Sequence, residues 1–251
     1  MTIDAAPVIE TERLRLERWD ERHTDLLVRL ASTPAVMRFI GTGDPWPPLL
    51  AEDVARAERR HWEQHGFGWR ATVDKATGRG IGLVSLNYAG EGTAGLDPGE
   101  REIGWWLEPD AWGRGLGTEG SAALRDEAFD LLGMPSIIAR IQPPNEGSRG
   151  VARKIGMELD FETTGRSGER LEGLVTKGPS ALRAEAAAPG IRLQPPADLA
   201  LARVEPGRPL ARVVQRDQPD AAAVGAVDRG APAEAMLLPV APLGTGDVLG
   251  E

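Results

Sequence analysis

The chain has 251 residues, a formal net charge of -9 and no cysteine. The length allows one large domain or two smaller ones. The acidic balance excludes broad nucleic-acid binding and docking on anionic membranes, and the missing cysteines exclude disulfides, thiolate metal sites and a cysteine nucleophile. Met1–Pro7 has neither the basic region nor the apolar run of a secretory signal, and no apolar stretch approaches the length of a membrane span. A cytoplasmic location is expected.

Period-two alternation over Arg13–Trp19 predicts a half-buried strand. Asp20 can cap a helix that buries Leu26, Leu27 and Leu30. A second helix is expected from about Ala51 to Gln64, ended by His65-Gly66. Phe67–Val73 and Gly80–Tyr88 read as a hairpin around Lys75–Gly78. A strand over Glu100–Leu107, a helix over Thr118–Leu132, a strand over Ile137–Ile141 and a helix over Ser148–Ile155 follow. A last hairpin pairs Met157–Thr164 with Arg170–Thr176. This order predicts an α/β fold with a mixed sheet of seven strands and four helices.

The pattern stops near residue 178. All seven tryptophans, all four phenylalanines and the only tyrosine precede that point, whereas residues 178–251 hold ten of the 20 prolines. Such a stretch has little with which to build a core. The expected organisation is a domain over 1–177 and an Ala/Pro/Gly-rich, largely irregular tail over 178–251.

Between the strand at Glu100–Leu107 and the next helix lies Trp112-Gly-Arg-Gly-Leu-Gly-Thr-Glu119. Gly113, Gly115 and Gly117 remove side chains from a turn whose backbone N–H groups can then converge on an anion, best a phosphate or pyrophosphate. Gly115-x-Gly117-x-x-Gly120 also matches the dinucleotide fingerprint, but the strand before it is charged on one face and the strand after it ends in Gln142-Pro-Pro rather than an acid. A nicotinamide cofactor is therefore disfavoured.

A second segment, with Asn145, Ser148, Val151, Lys154, Gly156 and Met157, follows the next strand. Together with Trp105-Trp-Leu107-Glu-Pro109 and Trp112–Glu119, it resembles the GNAT acetyltransferase superfamily, in its RimJ/RimL-like branch, over roughly residues 9–177. Gly120 stands where that branch usually has alanine. The resemblance implies the GNAT fold and acetyl-CoA as co-substrate, with the pyrophosphate over Trp112, Gly113, Arg114, Gly115, Leu116, Gly117 and Thr118. It also implies a pantetheine arm paired like an added strand beside Trp106, Leu107, Glu108 and Pro109. Asn145 is implied to bind the cofactor through its amide; capping the next helix is the alternative. The implied partner is a primary amine, small molecule or protein N-terminus, taken up near Gly41–Pro48 and Ala89–Gly99, with a second copy of the chain as a further partner.

Acetyl transfer needs a group to take the ammonium proton and one to protonate the thiolate. Glu100, Glu102, Gly104 and Trp106 share a strand face, and the resemblance puts Glu102 beside the amine. As a base, it makes Glu102→Gln about 10²-fold slower; the alternative is an ion pair with Arg101 or Arg70. The resemblance implies a tyrosine as the acid in many members, but the only tyrosine here, Tyr88, lies on an earlier strand, so Ser148 is the remaining candidate, with a helix-cap or first-turn role as the alternative. No metal is expected: His61 and His65 are one turn apart, but only His23 remains as a third histidine, and exposed helix histidines are the plainer reading. A non-catalytic CoA-binding sensor or scaffold is the other functional reading.

Overall fold

The computed structural model describes residues 5–89, 99–165 and 167–187. Strands β1 (Val8–Glu10), β2 (Leu14–Arg18), β3 (Arg70–Asp74), β4 (Gly80–Tyr88), β5 (Arg101–Leu107), β6 (Ser136–Ile141), β7 (Glu158–Thr164) and β8 (Arg170–Lys177) form one sheet in the order β1-β2-β3-β4-β5-β6-β8-β7. All neighbours are antiparallel except β5 and β6. The helices are α1 (Thr24–Ala31), α2 (Pro34–Met37), α3 (Pro48–His65), α4 (Leu116–Asp126), α5 (Glu146–Lys154) and α6 (Pro179–Ala187). The mixed α/β architecture agrees with expectation. The described residues add a strand, β1, and two short helices, α2 and α6, to the elements expected.

Local chemistry accounts for these elements. Leu14 and Leu16 are fully buried, with partly exposed Arg15 between them, so β2 buries one face. Asp20 caps a 3₁₀ turn, Glu21–His23, by accepting from the Arg22 N–H at 2.9 Å, and α1 follows with Leu26, Leu27 and Leu30 buried. Helix α3 begins at Pro48, three residues before the expected start, because proline suits the first turn, where its missing N–H has no partner anyway.

The two helical groups lie on opposite faces. A Cβ at Gly120 of α4 would sit 3.3 Å from Val84 Cγ1, whereas Asn87 faces Glu58 of α3, and positions 84 and 87 differ in parity along β4. The tight approach gives Gly120, where the resembling branch usually has alanine, a packing role. Below α4, a π-turn (Glu127–Leu131) brings Glu127 onto Arg70 of β3. On the α3 side, Trp19, Trp69, Trp106 and Trp46 make successive ring contacts at 5.5–5.7 Å.

After β8, Gly178 donates its N–H to the Pro135 carbonyl at 2.8 Å, and helix α6 begins. Helix α6 falls within the tail expected from 178 to be largely irregular; the rest of that tail, from 188 onward, lies outside the described residues. A protein ending at Ala187 keeps every described element and every aromatic side chain, and is expected to melt cooperatively at the midpoint of the full chain. Calorimetry checks this; aggregation or a lowered midpoint would make the remainder part of the domain. Among the described residues, no helix is long and apolar enough to cross a membrane.

Candidate active site

The turn before α4 is built to leave amides free. Gly113 and Gly115 have φ of +71° and +78°, in the left-handed region that side-chain-bearing residues avoid. Gly115 is also the N-cap of α4 and supplies no side-chain acceptor, so the N–H groups of Leu116, Gly117 and Thr118 have no partner within the helix. Arg13 holds the turn from behind. Its Nη1 donates to the Arg114 carbonyl at 2.8 Å and its Nε to Glu119 Oε2 at 2.7 Å. The Arg13 N–H and the Thr11 hydroxyl both donate to Glu119 Oε1, at 2.7 and 2.6 Å. Burial alone would raise the Glu119 carboxyl, but these bonds hold it below its ordinary value. A Cβ at Gly117 would lie 3.4 Å from Leu107 Cδ1, so the helix start sits hard against the end of β5. Uncapped amides, a positive helix end and a turn without side chains fit a pyrophosphate.

Beside this turn the sheet opens. β5 pairs with β4 from Arg101 to Leu107, but with β6 only at Glu102–Ile138. Among the described residues its second edge has no strand partner from Ile103 onward, which leaves room for an extended chain to add to it. Across the gap, Ser148 of α5 accepts from Trp105 Nε1 at 3.2 Å. Since that bond uses only an oxygen lone pair, the hydroxyl hydrogen of Ser148 remains available to donate. Asn145 is the N-cap of α5, its Oδ1 accepting from the Ser148 N–H at 3.1 Å. Capping is therefore a role Asn145 fills, and Ser148 sits in the first turn as the alternative reading had it.

Other expected site residues sit as follows. Trp106 is half-buried between Trp46 and Trp69. Trp112 is 48% exposed and donates its Nε1–H to the Leu107 carbonyl at 2.8 Å, which ties that carbonyl to the turn. The Arg114 guanidinium lies 3.6 Å from Asp74. Glu108 is buried and turned toward Arg29, at 3.1 Å, and Arg79, so its side chain serves an ion-pair cluster, while its backbone N–H donates to the Ile81 carbonyl at 2.8 Å.

Glu102 is ion-paired, but with neither partner weighed from the sequence. Its oxygens accept from Arg140 Nε and Nη2 at 3.0 and 2.6 Å, a two-point pair linking β5 to β6. Burial works against the charged Arg140, but Glu102 outweighs it and the guanidinium is raised. Arg70 pairs instead with Glu127, and Arg101 lies over the Tyr88 ring, 3.8 Å from its centroid. The carboxyl missed in the sequence is Glu58. It lies on the stripe Ala51, Ala55, Glu58, Trp62 of α3, whose spacing of four, three and four marks one helix face. That periodicity was the available signal.

The two histidines of α3 are part of an aromatic cluster rather than exposed. His61 and His65 lie 4.5 Å apart and contact Phe67 and Tyr88. Burial, then His65 and Arg101, push His61 down to about 4, so it is neutral at ordinary pH. His23 lies elsewhere, its ring 5.4 Å from Trp19. Among the described residues, no group of three His, Asp or Glu side chains is placed to hold a metal ion.

A sheet splayed beside a glycine turn that heads a helix is the arrangement of an acyl-CoA-dependent transferase. Residues 13–158 match the acetyltransferase (GNAT) domain family, and the chain belongs to it. It is an acetyl-CoA-dependent N-acetyltransferase, and its fold is the mixed α/β GNAT fold. Among curated relatives, the FsC-acetyl coenzyme A-N(2)-transacetylase of Aspergillus fumigatus is 28% identical over 166 residues, covering 62% of this chain and 67% of that protein. An acetyltransferase structure from Agrobacterium tumefaciens superposes with a TM-score of 0.58 at 28% identity, covering 68% and 95% of the two chains. RimL, a ribosomal L7/L12 alpha-N-protein acetyltransferase solved with coenzyme A, shares the fold at a TM-score of 0.57 and 16% identity, covering 68% and 98%.

Proposed function

We propose that the protein moves the acetyl group of acetyl-CoA to the primary amine of a small molecule or a protein N-terminus by direct attack, as a RimJ/RimL-like enzyme. The observation that carries this reading is the coincidence of the uncapped glycine turn at α4 with the partnerless edge of β5 beside it. In this reading the Trp112–Thr118 backbone holds the pyrophosphate, and the Trp106–Pro109 backbone lines the pantetheine arm. Ser148, across the gap, gives the departing thiolate its proton. Glu102 and Arg140 form a charged pair at the mouth of the opening, where they orient the amine. The names of the fungal relative and of RimL, both transferring acetyl groups to amines, support the amine class without choosing within it.

Thiol release from acetyl-CoA, measured against polyamines, free amino acids and short peptides with free N-termini, tests the reading. Turnover with one of these classes is expected. A protein that CoA stabilises against heat but that releases no thiol with any amine would be a binding module, and the proposal would fail.

A further inference from the structure

The face of the sheet that carries Glu102, Gly104 and Trp106 carries a second carboxyl, Glu58, at the middle of α3. This residue is half-buried, and its one polar partner is Asn87, the cross-strand neighbour of Glu102. The orientation of the Asn87 amide follows from its other neighbours. The amide atom that faces Glu58, at 3.4 Å from both carboxyl oxygens, also meets the Trp69 Nε1–H at 2.7 Å, and only an oxygen satisfies that donor. The other amide atom meets the Leu86 carbonyl at 2.7 Å, which only the NH₂ group satisfies. Glu58 thus faces an acceptor. That contact suits a protonated carboxyl and repels an ionised one, unless a cation arrives beside it.

The charged groups on the surrounding elements are engaged elsewhere. Glu102 and Arg140 are paired across β5 and β6, Arg101 stacks on Tyr88, and Arg70 holds Glu127. Arg59, next to Glu58 on α3, lies near Glu21 and Glu63, and neutral His61 belongs to the Tyr88 cluster. Among the described residues no cation pairs with Glu58. It is therefore a carboxyl without a counter-cation on this face, sharing the Asn87 amide with Trp69.

We propose that Glu58, rather than Glu102, takes the proton from the acceptor's ammonium group before that nitrogen attacks the acetyl carbonyl. An N–H bond of the ammonium breaks and an O–H bond forms on Glu58. The freed nitrogen pair then forms the C–N bond as the C–S bond breaks, the Ser148 hydroxyl gives the thiolate its proton and recovers one from the second N–H of the new amide nitrogen, and Glu58 later returns its own to solvent. The proposal rests on the reading that the amine approaches this face. Burial pushes the Glu58 carboxyl up to about 8, against only a hydrogen bond from Asn87 that the oxygen-facing amide removes. A carboxyl so raised accepts an ammonium proton with far less of an uphill step than an ordinary one. Glu102, with both oxygens on Arg140, is poorly placed to take one.

Two probe amines separate a proton acceptor from a structural residue. Ethylamine is charged at neutral pH and must lose a proton, whereas hydroxylamine is already uncharged there. Glu58→Gln is expected to slow acetyl transfer to ethylamine about 100-fold and to move the acidic limb of its pH profile up toward the amine's own titration, with hydroxylamine transfer within about threefold of wild type. Glu102→Gln should retain that limb. Folding is read separately. An acid raised on folding contributes stability below its unfolded value of 4.5 and loses that contribution as pH rises through about 8. The wild-type melting temperature should therefore fall relative to that of Glu58→Gln across this interval. Equal losses with both amines, or an unmoved acidic limb, overturn the assignment while acetyl transfer stands. A wild-type protein that binds CoA and acetylates neither amine overturns the proposed function, and this inference with it.

Discussion

Gly115→Glu is expected to abolish the rise in melting temperature that CoA gives the wild-type protein, and with it measurable acetyl transfer. Two effects act together. Position 115 has φ of +78°, where any side chain is strained, and it caps α4 at the point where unpartnered amides converge. A carboxylate there occupies the anion site with like charge, and its Cβ starts 3.5 Å from Arg13 Nη2, the group that braces the turn. At a CoA concentration of 100 Kd, binding stabilises the native state by about 2.7 kcal/mol, and all of it should vanish. Gly78→Glu is the matched control: its φ of +68° gives similar strain in the β3–β4 hairpin, away from the site. It should lower the melting temperature but keep the CoA-dependent rise. A full rise in Gly115→Glu would place the cofactor elsewhere.

Glu127→Ala is expected to be the most destabilising single change among the described residues, at about 3–5 kcal/mol. Arg70 Nη2 and Nε donate to Glu127 at 2.6 and 3.1 Å, and both side chains are almost entirely buried. The same pair fixes the N-terminal segment, because the Ala6 N–H donates to Glu127 at 2.9 Å and Arg70 donates to the Ala6 carbonyl at 2.6 Å. Removing the carboxylate leaves a buried guanidinium without its counter-charge. Burial nonetheless outweighs mutual attraction for both partners, since Glu127 is pushed up and Arg70 down. Replacing both together, as Arg70→Met with Glu127→Leu, should thus recover most of the loss. Denaturant unfolding of the two single variants and the pair measures this; additive losses would contradict it.

Much of this fold was legible because the signals were local. The alternation at Leu14 and Leu16, the Asp20 cap and the glycine turn each act within a few residues, and the structure has them where periodicity and capping placed them. β1 escaped because three residues cannot display an alternation, and its Val8 is exposed. α2 has four residues, too few for a helical period. The site was less legible for a different reason. Which carboxyl meets which cation depends on strand register, and Glu102 and Arg140 become neighbours only because Glu102 pairs with Ile138, two residues before Arg140 on the same face. Trp105 and Ser148 likewise meet across a gap whose width no single segment encodes. Glu58 sat on a readable stripe, but its meaning depends on an amide turned by Trp69 and Leu86.

The single bridge between β5 and β6 has a mechanical consequence. Hydrogen bonding runs unbroken from β1 to β5 and again from β6 through β8 to β7, but only the Glu102–Ile138 position joins the two ladders. The sheet is a pair of plates on a short seam, reinforced by the Glu102–Arg140 clasp on one side and the Trp105–Ser148 contact on the other. A ligand lying in the cleft as an extra strand would rivet the plates together. The angle between them, and so the distance from Glu58 to the reacting centre, would be set by the first substrate to arrive.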